Sequence, residues 1–258
     1  VIFYLSGTGN TLWAAKLIAE ATDDKLVSIA DVIETNYCFK PTPSERIGFC
    51  FPVHGWRPPK IVRRFVQNIK ISDFSGHYCY ALCSAGDTVG EAMDIFQADI
   101  AKVGLHADSV FSIIMPESYV GLPFMDVDKP SREKLKKQKA EADMKIIANE
   151  IKENKKGIER LVIGNWPRIN SRILGDVFVK KIVTDKPFHV DSSKCVKCGI
   201  CYDVCPVHNI IGGLGHEPQW KHNDSCLSCF ACYHHCPHHA IEYGNRTKNK
   251  GQYFFNKI

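Results

Sequence analysis

VIFYLSGTGNT, residues 1–11, is a short aromatic and β-branched run that breaks into a glycine-rich turn and continues as a helix-like segment. Glycine permits the tight turn, and the backbone N–H groups of such a turn converge on an anion at the helix N-terminus. The run reads as a cradle for one phosphate group. It carries no Lys or Arg, no G-K-[ST] of a nucleotide P-loop and no third glycine of the dinucleotide fingerprint, which argues against ATP and NAD here. Turns of this composition also simply cap helices, so the loop alone does not fix its ligand. Outward from it, apolar runs at 1–5, 25–29, 46–53, 77–83 and 109–115 alternate with helix-like segments at 11–21, 59–69, 89–103 and 131–155. That alternation predicts a parallel sheet with helices on its faces, a doubly wound α/β domain. Ligands of such sheets bind beyond the carboxyl ends of the strands, where the loops 6–11, 54–58 and 84–90 would meet.

SGTGNT after the first strand resembles the phosphate-binding loop of flavodoxins, which bind FMN. HGWRPP (54–59) after the third strand and SAGDT (84–88) after the fourth stand where flavodoxins hold the isoalloxazine ring. The resemblance implies a flavodoxin-like five-stranded parallel sheet of order 2-1-3-4-5. It implies Ser6, Gly7, Thr8, Gly9, Asn10 and Thr11 around the phosphate, and His54, Gly55, Trp56, Ser84, Ala85, Gly86 and Asp87 around the ring, with Trp56 stacked on it. Trp13, inside an apolar helix, is expected in the core. Flavodoxins have acidic surroundings at the ring; this chain has His54 and Arg57 instead. Arg57 or a protonated His54 is expected to raise the flavin potential by favouring the reduced anion. Tyr119, in MPESYV, is the candidate for a second ring contact.

Further along, CVKCGICYDVCP (195–206) recurs as CLSCFACYHHCP (226–237), each copy reading C-x-x-C-x-x-C-x-x-x-C-P. This spacing places thiolates around four-iron clusters and resembles the bacterial two-cluster ferredoxins. In those proteins the fourth cysteine of each copy ligates the other cluster. The resemblance therefore implies one [4Fe-4S] cluster on Cys195, Cys198, Cys201 and Cys236, and a second on Cys226, Cys229, Cys232 and Cys205. Structural zinc also uses C-x-x-C pairs, but has no need of a third and fourth cysteine followed by Pro in each half. The nearby histidines are read as surface residues, with His234, His235 or His238 as candidates for tuning a potential through hydrogen bonds.

Eight of the twelve cysteines lie within 195–236, a distribution that favours metal ligation over a disulfide scaffold. Cys38, Cys50, Cys79 and Cys83 are expected to be inert strand residues. The net charge of +5 is local, since residues 131–187 hold 15 Lys or Arg against 8 Asp or Glu. No basic stripe with interleaved aromatics accompanies them, so a solvated helix face is read there and no nucleic-acid partner. No apolar run is long enough to span a membrane, and residues 1–10 read as a strand and not a secretory signal, which gives a cytoplasmic expectation.

The expected division is a flavodoxin-like domain at 1–160, a connector at 161–186 that includes a short helix, and a small α+β two-cluster ferredoxin-like domain at 187–258. Residues 251–258 are expected to pack back on the body. The whole resembles the flavodoxin and ferredoxin fusion proteins of anaerobic bacteria, which implies an oxidoreductase-type electron carrier linking FMN, two [4Fe-4S] clusters and a redox partner protein. An FMN-dependent reductase of a small molecule is the alternative. A homodimer, with FMN facing a dimer mate's cluster, also stays open.

Overall fold

The computed structural model describes residues 1–35, 37–72 and 76–256. Six parallel strands form the main sheet: β1 (Ile2–Tyr4), β2 (Leu26–Ser28), β3 (Ile47–Pro52), β4 (Cys79–Ala85), β5 (Ser109–Ile114) and β6 (Glu159–Arg160). Their spatial order is β2-β1-β3-β4-β5-β6. The helices are α1 (Asn10–Thr22), α2 (Lys60–Asn68), α3 (Ala92–Ala101) and α4 (Pro130–Lys152). β3 and β4 are buried almost throughout, as strands covered on both faces must be.

Alternation along each strand divides the core in two. Phe3, Phe49, Phe51 and Phe96 belong to the cluster that holds α2 and α3, with ring centroids 5.6 Å apart for Phe3–Phe49 and 4.6 Å for Phe51–Phe96. Ile2, Cys50, Leu82 and Phe111 face the other way, against Ala14 and Ile18 of α1 and Met144 and Ile147 of α4. Fully burying one such side chain contributes roughly 1.5–3 kcal/mol.

The sheet has six strands and not the expected five. The extra edge strand β6 pairs Glu159 with Val110 and Arg160 with Phe111. Both of its residues are exposed and charged, so no apolar alternation marks it in the sequence. Arg160 holds both carboxylate oxygens of Glu150 on α4, at 2.8 and 2.6 Å, fixing the edge to the helix.

The connector contains a continuous helical stretch, α5 (residues 167–182), much longer than a short turn of helix. Pro167 starts it, and two wide π turns, Asn170–Leu174 and Phe178–Ile182, interrupt it. Its inward residues Ser171 and Gly175 are small. A Cβ on Gly175 would collide with the carbonyl oxygen of Gly55, so glycine is what lets this helix lie on the loop after β3. Trp166, Ile169, Ile173 and Val177 are exposed.

The remaining chain forms a small unit with four short strands, β7 (Phe188–Val190), β8 (Ile210–Ile211), β9 (Gln219–Trp220) and β10 (Ile241–Tyr243), and two single-turn helices, α6 (Ile200–Asp203) and α7 (Ala231–His234). β7 pairs antiparallel with β10, and β8 with β9. The sequence repeat is also a backbone repeat. Left-handed residues recur at matching places, Lys197 and Ser228, Gly199 and Phe230, His208 and His239. Phe230 adopts φ 59° where the first copy has glycine, and is held there by Phe188 and Tyr243, each with its ring 5.1 Å away, and by Tyr119 at 5.3 Å. Among the described residues no helix is long and apolar enough to cross a membrane.

Candidate functional site

The eight cysteines of the repeat converge in two groups. Cys195, Cys198, Cys201 and Cys236 line one cavity with Ile200, Pro237 and Ile241. Cys201 feels the charges of Cys236, Cys198 and Cys195. Cys232 feels those of Cys229, Cys226 and Cys205, and more weakly that of Cys201 in the other group. Each group takes three cysteines from one copy of the repeat and its fourth from the opposite copy. All twelve cysteines are free thiols.

Burial pushes the Cys201 thiol up to about 11, Cys226 and Cys229 up to about 12, and Cys232 well above its usual range. Burial thus disfavours the free thiolate at these positions. No three His, Cys, Asp or Glu side chains among the described residues come close enough to hold a single metal ion.

Backbone N–H groups point at the sulfurs. Asn209 N–H lies 3.2 Å from Cys205 Sγ, and Ala240 N–H, at the matching place of the second copy, 3.2 Å from Cys236 Sγ. Such donors stabilise charge on ligand sulfur. His234 Nε2 donates to the Ser118 carbonyl at 2.7 Å and Nδ1 accepts from Tyr253 N–H at 3.1 Å. It is a tie between segments. His235 Nδ1 lies 2.9 Å from the Ala231 carbonyl, and its ring stacks on Phe254.

At the carboxyl ends of the main strands, the loop from Ser6 to Thr11 turns through Gly9 at φ 97° into α1. Ser6 Oγ accepts the Leu12 N–H at 3.2 Å, capping the helix. Thr11 Oγ1 lies 2.7 Å from Ser84 Oγ and ties the first loop to the end of β4. Asn10 is pinned at both ends, Nδ2 donating to the Pro116 carbonyl at 3.0 Å and Oδ1 accepting from the Tyr253 hydroxyl at 2.7 Å. Among the described residues the N–H groups of Gly7 to Thr11 meet no acceptor, a donor set that fits a phosphate group.

Ser84 and Ala85 are the last residues of β4, so the third loop begins later than expected; Gly86 packs against the Glu117 carboxylate, and Asp87 is exposed. Trp56, at φ 56°, donates from Nε1 to Thr88 Oγ1 at 3.1 Å and lies against Gly90, joining the second and third loops. Arg57 Nη1 donates to the Ser171 carbonyl at 2.9 Å and faces Asp176 Oδ1 at 3.8 Å, so its charge is shared with α5. Burial pushes the His54 imidazole down to about 4, which favours its neutral form. Tyr119 packs edge-on against Phe178 and Phe230, between α5 and the cysteine unit.

Trp13 is partly buried beneath Phe255, ring centroids 5.1 Å apart, instead of lying deep in the core. Cys50, Cys79 and Cys83 are buried, their thiols pushed upward by burial, while Cys38 is exposed. Site neighbours the sequence did not mark are Ser171, Gly175 and Phe178, which wall the second and third loops; Tyr253 and Phe255, in the tail expected to pack on the body, meet the first. Small residues four apart, Ser171 and Gly175, were the one available signal for the wall.

The two sites touch. A Cβ on Gly7 would lie 2.7 Å from Cys229 Cβ and 3.2 Å from its Sγ, so the phosphate-loop backbone packs directly on a cysteine of the second group.

Residues 188–237 match the model of the 4Fe-4S dicluster domain family. No curated protein matches the chain. A solved structure described as a "Putative flavoprotein" from Bacteroides uniformis is similar at 22% identity, covering 44% of this chain and 88% of its own, with a TM-score of 0.34. The dicluster match supports iron–sulfur clusters in this chain and, with them, a redox role in electron transfer.

Proposed function

We propose that the chain is an electron-transfer protein carrying two [4Fe-4S] clusters and FMN, and that it exchanges electrons with a redox partner protein in the cytoplasm. When bound, the clusters supply one-electron transfer and the flavin exchanges electrons singly or in pairs. Cys195, Cys198, Cys201 and Cys236 hold one cluster; Cys226, Cys229, Cys232 and Cys205 hold the other. The turn from Ser6 to Thr11 binds the FMN phosphate through its N–H groups, and the loops carrying His54, Gly55, Trp56, Ser84, Ala85, Gly86 and Asp87 surround the ring.

The observation that carries this reading is the contact of Gly7 with Cys229. It sets the second group of thiols beside the phosphate loop of the same chain. Within that arrangement the chain's residues orient and insulate. Ser171 and Gly175 close α5 over the ring loops, Phe230 and Tyr119 pack the seam with aromatic surface, and the Asn209 and Ala240 N–H groups stabilise ligand sulfur.

A small-acceptor experiment tests the carrier role. Anaerobically reduced protein is mixed with quinones and nitroaromatics in the absence of any protein. The carrier reading expects slow, non-saturating reoxidation; saturable kinetics with one such compound would replace it with a small-molecule reductase.

A further inference from the structure

Residues 252–255 lie far from the SGTGNT turn in sequence, yet they brace it on the side away from its free N–H groups. Phe255 N–H donates to the Thr8 carbonyl at 2.8 Å. A trans peptide is planar, with its C=O and N–H pointing in opposite directions. Fixing the Thr8 carbonyl toward Phe255 therefore aims the Gly9 N–H the other way, out of the brace and into the turn. Gly9 itself has no room for a side chain there, since a Cβ would stand 3.0 Å from Phe255 Cβ. The Tyr253 hydroxyl meanwhile donates to Asn10 Oδ1 at 2.7 Å, and Asn10 Nδ2 holds the Pro116 carbonyl, so the first residue of α1 is locked from both sides.

The brace is itself anchored. Tyr253 is 2% exposed, its N–H bonded to His234 Nδ1 at 3.1 Å. Gln252 Nε2 donates to the carbonyls of Tyr233 at 2.6 Å and Cys236 at 2.8 Å. Phe255 packs on Trp13, and Lys137 Nζ stands 5.2 Å and 5.3 Å from the Tyr253 and Phe255 ring centroids. One short segment thus runs from the second cysteine motif to the turn.

We infer that Tyr253 and the Phe255 N–H are positioning groups of the phosphate site, orienting the Gly9 and Asn10 backbone donors so that the chain selects a phosphorylated flavin over its unphosphorylated form. The inference rests on the reading of the turn as an FMN site. Preorganised donors cost no reordering when the anion arrives, and their advantage falls only on a ligand that carries the anion.

The test uses the full chain with clusters in place and flavin removed, titrated with FMN and with riboflavin by flavin fluorescence quenching. The wild type is expected to bind FMN more tightly. Tyr253→Phe removes one hydroxyl and is expected to weaken FMN about fivefold, the size of one neutral hydrogen bond, while riboflavin affinity and iron content stay unchanged. Phe255→Pro deletes the N–H and is expected to weaken FMN more than Phe255→Ala, which keeps it. Equal weakening of both flavins would make the segment general packing and overturn the inference, as would unchanged FMN affinity in Tyr253→Phe. A wild type that binds no flavin, or does not distinguish the two, would overturn the FMN reading and this inference together. A discriminating wild type with a discriminating Tyr253→Phe at unchanged ratio overturns this inference alone. If Phe255→Pro fails to fold, seen as lost iron, Tyr253→Phe decides.

Discussion

Gly7→Ala isolates the contact between the two halves of the molecule. Gly7 is not in the left-handed region, so alanine meets no backbone obstacle there. The obstacle is Cys229, whose Cβ would stand 2.7 Å from the new methyl group and whose Sγ would stand 3.2 Å away. Real carbon atoms do not approach so closely, and Cys229 cannot rotate aside without leaving its thiol group. The loop and the cysteine unit must therefore separate by about an ångström, an overpacking cost of roughly 1–3 kcal/mol. For a chain of this size that corresponds to a fall in Tm of roughly 2–10 °C. Iron and sulfide content are expected to match the wild type, because no ligand is lost. Anaerobic stopped-flow traces, with cluster and flavin absorbance followed separately, are expected to show slower equilibration between the two in the variant. A Gly7→Ala protein with wild-type Tm and wild-type equilibration would refute the contact and the reasoning from it.

Cys236→Ser is expected to remove about four of eight irons and spare the cluster on Cys226, Cys229, Cys232 and Cys205, whereas Cys205→Ser removes the other half; electron paramagnetic resonance of each variant tells which remains. If serine at 236 instead silences the second cluster, the crossed pairing is wrong. The His54 imidazole is lowered from 6.5 to about 4 in the folded chain, so its contribution is fully present above pH 6.5 and is lost as pH falls toward 4. Flavin-free His54→Asn should therefore escape up to about 3 kcal/mol of acid destabilisation over that window, measured by urea melts at pH 7 and pH 4.5. Phe96→Ala empties the ring site against Phe49 and Phe51 and should cost about 3–5 kcal/mol, read as a lower urea midpoint with the iron content intact.

Much of this was legible in the chain because the chemistry is local in sequence. A cysteine followed by Pro at fixed spacing announces its own ligand role, and buried parallel strands write themselves as apolar runs such as IGFCFP and CYALCSA. What stayed hidden depends on contacts between distant segments. β6 is two charged residues that become a strand only because Val110 and Phe111 offer an open edge. Ser171 and Gly175 of α5 settle on Gly90 and Gly55, contacts that no helical periodicity reveals. The contacts of Trp56, His54 and Asn10 were hidden for the same reason. Thr88 takes the indole N–H, burial neutralises the imidazole, and Tyr253, more than two hundred residues away, takes the amide of Asn10. Phe230 is the inverse case, a residue whose left-handed backbone only its aromatic neighbours justify.

In the proposed function, one polypeptide holds both kinds of redox group and passes electrons between them. Anaerobic analysis of iron, acid-labile sulfide and flavin per chain, combined with a spectroelectrochemical titration of the same sample, tests it most directly. About eight irons, eight sulfides and one FMN are expected, with cluster and flavin bands both responding to the applied potential. A colourless protein, a redox-silent metal such as zinc, or clusters with no flavin after reconstitution with FMN would contradict it.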